Sequence, residues 1–219
     1  MKFWLVLLSL QFVGCAVTKD FPVTDQSNKL WQQRKNIMAA VESWDIRARA
    51  VFFDREEVYN LDIHWFQNKN DFEITLQAPF GQGTVKLESI EDRVIQKQVR
   101  LTMPDQKIYH RVSAEQLLRD ILGWSIPVNG LKFWIRGIPH QQSSFEPEIN
   151  FSGQLKTLNQ DGWWINYLEY EQSNLASLPN YKIPSQIYLK NSEYALKLVI
   201  DQWTGKSLQN DTNELFPAF

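Results

Sequence analysis

Residues 44–77 read WDIRARAVFFDREEVYNLDIHWFQNKNDFEITLQ, and this stretch decides the fold. Apolar and polar residues alternate three times within it, over 46–52, 59–66 and 72–77. A period of two is typical of strands with one buried face. Only short connections such as Gln67–Asp71 separate the three segments, which favours an antiparallel meander over βαβ units.

Strand patterns continue outward from this meander. They fall at 83–88, 92–99, 105–110, 147–152, 154–159, 162–170, 184–190 and 194–203. Asp161-Gly162 and Asn191-Ser192 stand where hairpin turns are expected. A sheet of about eleven strands curls strongly and acquires a concave face. The sequence therefore predicts a mainly β chain whose curled antiparallel sheet forms an incomplete, half-open β-barrel.

About three short helices are predicted to cover this sheet. The first precedes the meander, with Asp25 or Ser27 as its cap. Its apolar face is predicted from positions spaced by seven, four and three residues: Leu30, Ile37, Val41 and Trp44. The opposite face is predicted to carry Lys29, Gln33, Arg34 and Glu42.

Residues 113–138, called the insert below, interrupt the strands with two helical patterns. Ser113 and Gln116 fit a capping box, Gly123 ends the first helix, and Pro127 permits a second start. The segment 121–139 is dense in apolar residues but too short to span a membrane. It is interpreted as a buried helix pair or as a lid over a cavity, and a closed lid satisfies both descriptions.

The N-terminus is predicted to be an export signal. Lys2 precedes an apolar run over 3–13, which is too short to span a bilayer and is typical of a secretory signal. Phe12-Val13-Gly14-Cys15 resembles a bacterial lipobox, with Phe12 where Leu is usual. We expect 1–14 to be a lipoprotein signal peptide and Cys15 to carry lipid. The alternative is a plain signal peptide followed by a free thiol.

Three further regions follow from this division. Residues 15–26 are predicted to be a lipidated tether, 27–205 the folded domain and 206–219 a polar tail. Acyl chains on Cys15 would anchor the domain without a spanning helix.

Composition and motifs exclude several classes of function. A net charge of −2 gives nucleic-acid binding no electrostatic support. The three histidines are not at metal-ligand spacing, and no G-x-S-x-G nucleophile motif occurs. We find no catalytic constellation, so neither enzyme activity, a cofactor nor a metal is expected. The 13 Phe, 9 Trp and 7 Tyr fit either an ordinary β core or an apolar cavity.

One predicted turn carries a large apolar residue. Pro79-Phe80-Gly81 lies between two strand patterns, where loop tips are normally polar. An exposed Phe80 indicates insertion into a membrane or a partner. The alternative is that Phe80 folds back onto the core.

Taken together, these features resemble the LolB family. The similarity rests on the lipobox followed by Ala16, the Trp31 helix followed by Trp44, and Pro79-Phe80-Gly81, where the family shows Pro-Leu-Gly. The most specific segment runs from Gly123 to Pro139. It matches the family's G-x-x-I-P-x-x-x-L-x-x-W-x-x-G-x-P. The ending from Pro184 to Trp203 is also similar, so the resemblance covers about residues 12–203.

The resemblance implies a fold, a function and partners. The family fold is an incomplete antiparallel β-barrel with a helical lid. The function is that of an outer-membrane lipoprotein receptor, lipid-anchored and facing the periplasm. It accepts acylated lipoproteins from the carrier LolA, holds their acyl chains in a hydrophobic cavity and inserts them into outer-membrane lipid. No cofactor, no nucleic acid and a monomeric state are expected.

The resemblance also implies site residues. Phe80 would form the membrane-insertion loop. We expect large apolar side chains of the strands and the insert to form the acyl-chain cavity and lid: Phe52, Trp65, Phe72, Trp124, Leu131, Trp134 and Trp203. Two alternatives remain, an enzyme acting on lipids and an outer-membrane scaffold or assembly lipoprotein of the same fold without cargo transfer.

Overall fold

One antiparallel sheet of eleven strands forms the body of the protein. The computed structural model describes residues 22–54, 57–78, 83–91, 98–175, 178 and 181–204. The helices are α1 (Asp25–Ala39), α2 (Ala114–Leu117), which continues as a π-helical turn (Leu118–Leu122), and α3 (Val128–Trp134). The strands are β1 (Ser43–Phe53), β2 (Val58–Asn68), β3 (Asp71–Gln77), β4 (Thr84–Ile90), β5 (Gln98–Thr102), β6 (Ile108–Arg111), β7 (Phe145–Ile149), β8 (Leu155–Gln160), β9 (Trp163–Gln172), β10 (Lys182–Lys190) and β11 (Ala195–Thr204).

The sheet is curled and unclosed. Its strand order is β6-β5-β4-β3-β2-β1-β11-β10-β9-β8-β7, so the first strand lies at the centre and pairs with the last. The two edges, β6 and β7, are the strands that flank the insert in sequence. The predicted half-open barrel with helical cover is therefore confirmed, and the insert is placed to cross the opening.

The strand register separates two rims of the half-barrel. Pairs such as Phe53↔Val58 and Gln77↔Thr84 bring five connections to one rim, which we call the turn rim. These connections are 54–57, 78–83, 103–107, 161–162 and 191–194. The opposite rim carries the connections 69–70, 91–97, 150–154 and 173–181. The two rims are the two ends of the concave face.

The predicted alternation places the core on the concave face. In β1 every second side chain is buried: Trp44, Ile46, Ala48, Ala50 and Phe52. Arg49 points the other way, and its Nη2 lies 2.7 Å from the carboxylate of Asp201 on the neighbouring strand β11. A period of two thus separates an apolar interior from a charged convex surface, as the sequence predicts.

Helix α1 buries a different face from the predicted one. Its buried side chains include Trp31, Arg34 and Met38, whereas Ile37 is 39% exposed. The cap prediction was also wrong. Thr24 is the N-cap, and its Oγ1 accepts a hydrogen bond from the Ser27 backbone N–H.

The burial of Arg34 explains the wrong prediction for this helix. Its guanidinium lies between the rings of Tyr170 and Tyr181, 5.2 and 4.8 Å from their centroids, and donates to the Lys182 carbonyl. Cation–π contacts of this kind stabilise a charge that helical periodicity assigns to solvent. The partners come from β9, β10 and the segment between them, so the local sequence holds no signal for them.

The predicted turns and the insert are confirmed in outline. Asp161 and Gly162 both have positive φ, 53° and 76°, as a type I′ hairpin turn requires. Gly123 ends the π-helical turn with φ 76°, and Ser113 Oγ caps α2 by accepting from the Gln116 N–H. Of the strand predicted at 92–99, residues 92–97 lie outside the described residues, and 98–99 begin β5 (Gln98–Thr102).

Gly153 is expected to be intolerant of any side chain. Its φ is +68°, and an added Cβ would lie 2.6 Å from the Trp31 backbone nitrogen, where α1 crosses the β7–β8 connection. We expect Gly153→Ala to lower the free energy of unfolding by about 2–4 kcal/mol, from backbone strain plus displacement of α1. Gly162→Ala is the matched control, because Gly162 has φ +76° but nothing within 4 Å of the added Cβ. Equal losses in denaturant unfolding would contradict the role of the close contact.

Candidate functional site

An apolar cavity lies between the insert and the concave face. Its volume is about 60 Å³. The roof is formed by insert residues Leu118, Ile126, Val128 and Leu131. The floor is formed by inward side chains of β1–β4 and β11: Ala50, Phe52, Leu61, Ile63, Trp65, Ile74, Leu76, Leu87 and Leu196. No polar side chain lines this cavity among the described residues, so its interior favours hydrocarbon over water.

Aromatic rings close the cavity at the turn rim. Phe52 stacks on Tyr194 with centroids 5.5 Å apart and contacts the Trp124 ring at 5.1 Å. Trp124 also meets the edge of Tyr59 at 5.0 Å. The Tyr194 hydroxyl donates to the Gly123 carbonyl at 3.1 Å, which ties the insert to the β10–β11 connection. The insert is thus fastened to the sheet where its π-helical turn ends.

At its other end the cavity adjoins an open groove. Trp65 lines both spaces, and its Nε1 donates to Gln67 Oε1 at 3.1 Å. Val128 of the insert also borders both. The groove has a volume of about 280 Å³ and lies toward the opposite rim. The cavity is therefore separated from solvent there by two side chains.

The insert is held more firmly at its α3 end than at its π-helical turn. Arg136, just after α3, is buried and donates to the Met38 and Val41 carbonyls at 2.9 and 2.7 Å. Burial lowers the pKa of Arg136 to about 10, which leaves it charged at neutral pH. The π-helical turn is held by the largely exposed Arg111–Asp120 pair at 3.0 Å and by Tyr194. Exposed ion pairs contribute at most about 1 kcal/mol, so the polar contacts that hold the turn are weaker than those that hold the end of α3.

The structure brings four of the predicted cavity residues together. Phe52, Trp65 and Leu131 line the cavity, and Trp124 contacts Phe52 at its end. Phe72 lines the groove instead.

The remaining predicted residues lie elsewhere or outside the described part. Trp134 is buried away from the cavity, with Nε1 2.9 Å from Gln160 Oε1. Trp203 packs on Trp44 with centroids 5.6 Å apart. Cys15 and Phe80 lie outside the described residues, but the strands that flank Phe80 end at the turn rim, where the Ala78 N–H donates to the Gly83 carbonyl.

Sequence reasoning missed most of the aliphatic lining. The missed residues include Ala50, Leu61, Ile63, Ile74 and Leu76. Each shares its strand parity with a residue that was chosen, such as Phe52 in β1 or Trp65 in β2. Parity was therefore the available signal, and selecting aromatic side chains alone overlooked it.

Two features are absent from the described residues, a membrane-spanning helix and a metal site. No helix in the described ranges is long and apolar enough to cross a membrane. Within the same ranges, no group of three or more His, Cys, Asp or Glu side chains is placed to hold a metal ion.

The fold and site define a class: a half-open β-barrel whose concave face and helical cover enclose an apolar cavity. Solved structures share the fold. A DUF1329 family protein from Desulfovibrio piger superposes with a TM-score of 0.56 at 6% identity, covering 86% of this chain and 96% of that one. A candidate outer membrane lipoprotein-sorting protein domain from Vibrio parahaemolyticus gives 0.52 at 9% identity, covering 84% and 93%.

Sequence comparison identifies the family. The model for the outer membrane lipoprotein LolB matches residues 42–203. The outer-membrane lipoprotein LolB of Nitrosococcus oceani is 31% identical over 201 residues, which cover 91% of this chain and 95% of the relative. The chain belongs to the LolB family of outer-membrane lipoproteins.

Proposed function

We propose that the protein is an outer-membrane lipoprotein receptor that accepts lipoproteins from the periplasmic carrier LolA, holds their acyl chains and inserts them into the outer membrane. The observation that carries this proposal is the wholly apolar cavity under the insert in a chain of the LolB family. A scaffold without cargo transfer would not need such a cavity. A lipid-modifying enzyme would need a nucleophile and base beside it, and every described side chain in its lining is apolar.

Acyl chains require the insert to move. The cavity of about 60 Å³ is smaller than the roughly 150 Å³ that accommodates a single benzene molecule. The weaker attachments lie at the π-helical turn, and π-helical segments are frequent at functional sites. We infer that acyl chains enter when the π-helical turn lifts while Arg136 keeps α3 in place.

Transfer from the carrier needs no energy source. Each methylene group removed from water contributes about 0.8 kcal/mol, and about 1.4 kcal/mol corresponds to a tenfold ratio of affinities. A receptor cavity that buries two or three more methylene groups than the carrier's cavity binds the acyl chains more tightly, so the equilibrium favours transfer to the receptor. The apolar lining and the aromatic cluster of Phe52, Tyr59, Trp124 and Tyr194 supply such contacts.

The segment that would tether the protein and the turn that contains Phe80 are attached at opposite rims of the half-barrel. Helix α1 begins at the opposite rim, where Ser27 Oγ donates to the Phe151 carbonyl at 3.1 Å. The turn with Phe80 joins strands at the turn rim. A tether from Cys15 to Thr24 spans about 33 Å when extended, which is close to the length of an eleven-residue strand. An acylated Cys15 can therefore hold the turn rim against the inner face of the outer membrane.

A soluble variant separates the receptor from a scaffold. We expect Cys15→Ala to release the protein from the membrane fraction, because the acyl chains are lost. The released protein should still bind a synthetic peptide that begins with a triacylated cysteine, measured by tryptophan fluorescence. A folded variant that binds no acylated peptide would favour the scaffold alternative.

A further inference from the structure

The groove beside the cavity differs from it in polarity. Its floor is formed by Gln67, Phe72 and Ser89 of the concave face. Its walls are formed by Val112, which directly precedes the insert, and by Asn129 and Lys132 of α3. The groove adjoins the cavity, and the side chains of Trp65 and Val128 lie between the two. The concave face thus carries two neighbouring spaces, the apolar cavity and the groove, whose lining is partly polar.

The polar groups of the groove favour a ligand rich in hydrogen-bond acceptors. Among the described residues that line it, Lys132 alone is charged, and none is acidic. Lys132 Nζ donates to the Lys69 carbonyl at 3.0 Å, which places the ammonium at the groove's edge. An ammonium carries several N–H groups, so Lys132 can donate to a ligand carbonyl as well as to the Lys69 carbonyl.

An acylated N-terminal cysteine carries carbonyl groups directly next to its acyl chains, which matches a polar groove beside an apolar cavity. We propose that the groove binds the polar head of a cargo lipoprotein, namely the glyceryl ester and amide carbonyls of its acylated cysteine and the first peptide units after it. This inference rests on the proposed receptor function. The head lies beside Lys132 and Asn129, and the acyl chains pass between Trp65 and Val128 into the cavity. The chain ends then point toward the turn rim, where the connection with Phe80 lies.

This arrangement gives the receptor a means of selecting its cargo. An apolar cavity alone accepts any acyl chain of suitable length. A groove that recognises ester and peptide carbonyls favours an acylated N-terminal cysteine over a bare hydrocarbon chain, because the hydrocarbon has no hydrogen-bond acceptor. Selectivity for lipoproteins therefore resides in the groove, and affinity for acyl chains resides in the cavity.

Blocking the groove tests this division. Val112 is 76% exposed at the groove wall, so Val112→Trp fills the groove without disturbing the core. We expect at least a tenfold loss of affinity for a peptide beginning with N-acyl-S-diacylglyceryl cysteine, and unchanged affinity for hexadecane, which has no polar head. Lys132→Gln should lower the affinity for the peptide threefold to tenfold and leave the affinity for hexadecane unchanged. Leu168→Trp, at a 45% exposed position of β9, is the matched control and should change neither affinity.

The outcomes distinguish failure of the head-group site from failure of the receptor function. Wild-type affinity of both groove variants for the acylated peptide would overturn the head-group site and leave the receptor function intact. Equal losses for peptide and hexadecane would also overturn it, since the groove would then serve only as a passage for chains. Failure of the folded wild-type protein to bind the acylated peptide would overturn the receptor function itself.

Discussion

Replacing Phe80 with Glu is expected to leave cargo binding intact and to reduce cargo deposition into membranes at least tenfold. An inserted Phe side chain gains about 1.5–3 kcal/mol from leaving water, whereas a carboxylate is strongly disfavoured in hydrocarbon. The described lining of the cavity comes from β1–β4, β11 and the insert. The measurement loads the Cys15→Ala form with lipoprotein and follows its transfer to vesicles by flotation.

Two controls locate the effect at this turn. Phe80→Leu should deposit cargo normally, since it preserves an apolar tip. Val58→Glu places the same charge at the end of β2 on the turn rim, at a side chain that is 57% exposed. We expect a much smaller loss from Val58→Glu. Normal deposition by Phe80→Glu would remove Phe80 from the membrane contact and support its packing on the core.

Filling the cavity is expected to have the second large effect. Ala50 lies in the cavity floor on β1, and Ala50→Phe occupies space that acyl chains would use. Losing room for two or three methylene groups costs about 2 kcal/mol, or roughly a thirtyfold weaker affinity. Titration with the triacylated peptide measures this loss. We expect Ala50→Phe to leave carrier docking, and the deposition of cargo that is already bound, unchanged.

Ala48→Phe is the matched control for this substitution. Ala48 is equally buried on the same face of β1, two residues from Ala50, but does not line the cavity. Both substitutions overpack the core and should each lower stability by about 1–3 kcal/mol, which thermal unfolding records. Only Ala50→Phe should lose affinity for the acylated peptide. Equal affinities in the two variants would show that acyl chains bind elsewhere.

The sequence predicted the parts of the fold that depend on local pattern. Strands β1–β3 alternate strictly, so their bounds and buried faces were predictable from 46–52, 59–66 and 72–77 alone. The Asp161-Gly162 turn was predictable because few residue pairs adopt positive φ twice. The buried face of α1 was not predictable. The cation–π partners of Arg34 are more than 130 residues away in the chain.

The candidate site was predictable only in part, for a related reason. Phe52, Trp65 and Leu131 were found because large apolar residues stand out in sequence. Trp134 and Trp203 have the same appearance, but tertiary contacts with Gln160 and Trp44 place them elsewhere. The groove joins side chains from β2, the start of α2 and α3, and polar residues in such positions are ordinary surface residues until the chain is folded.

The most direct test of the receptor function follows the cargo itself. The Cys15→Ala protein without residues 1–14 is mixed with purified LolA that carries a lipoprotein, and the two proteins are separated by affinity capture. We predict that the lipoprotein moves onto this protein without any energy source, and that Ala50→Phe reduces the transferred fraction. Cargo that stays on LolA while both proteins remain folded would contradict the receptor function and leave only the shared fold.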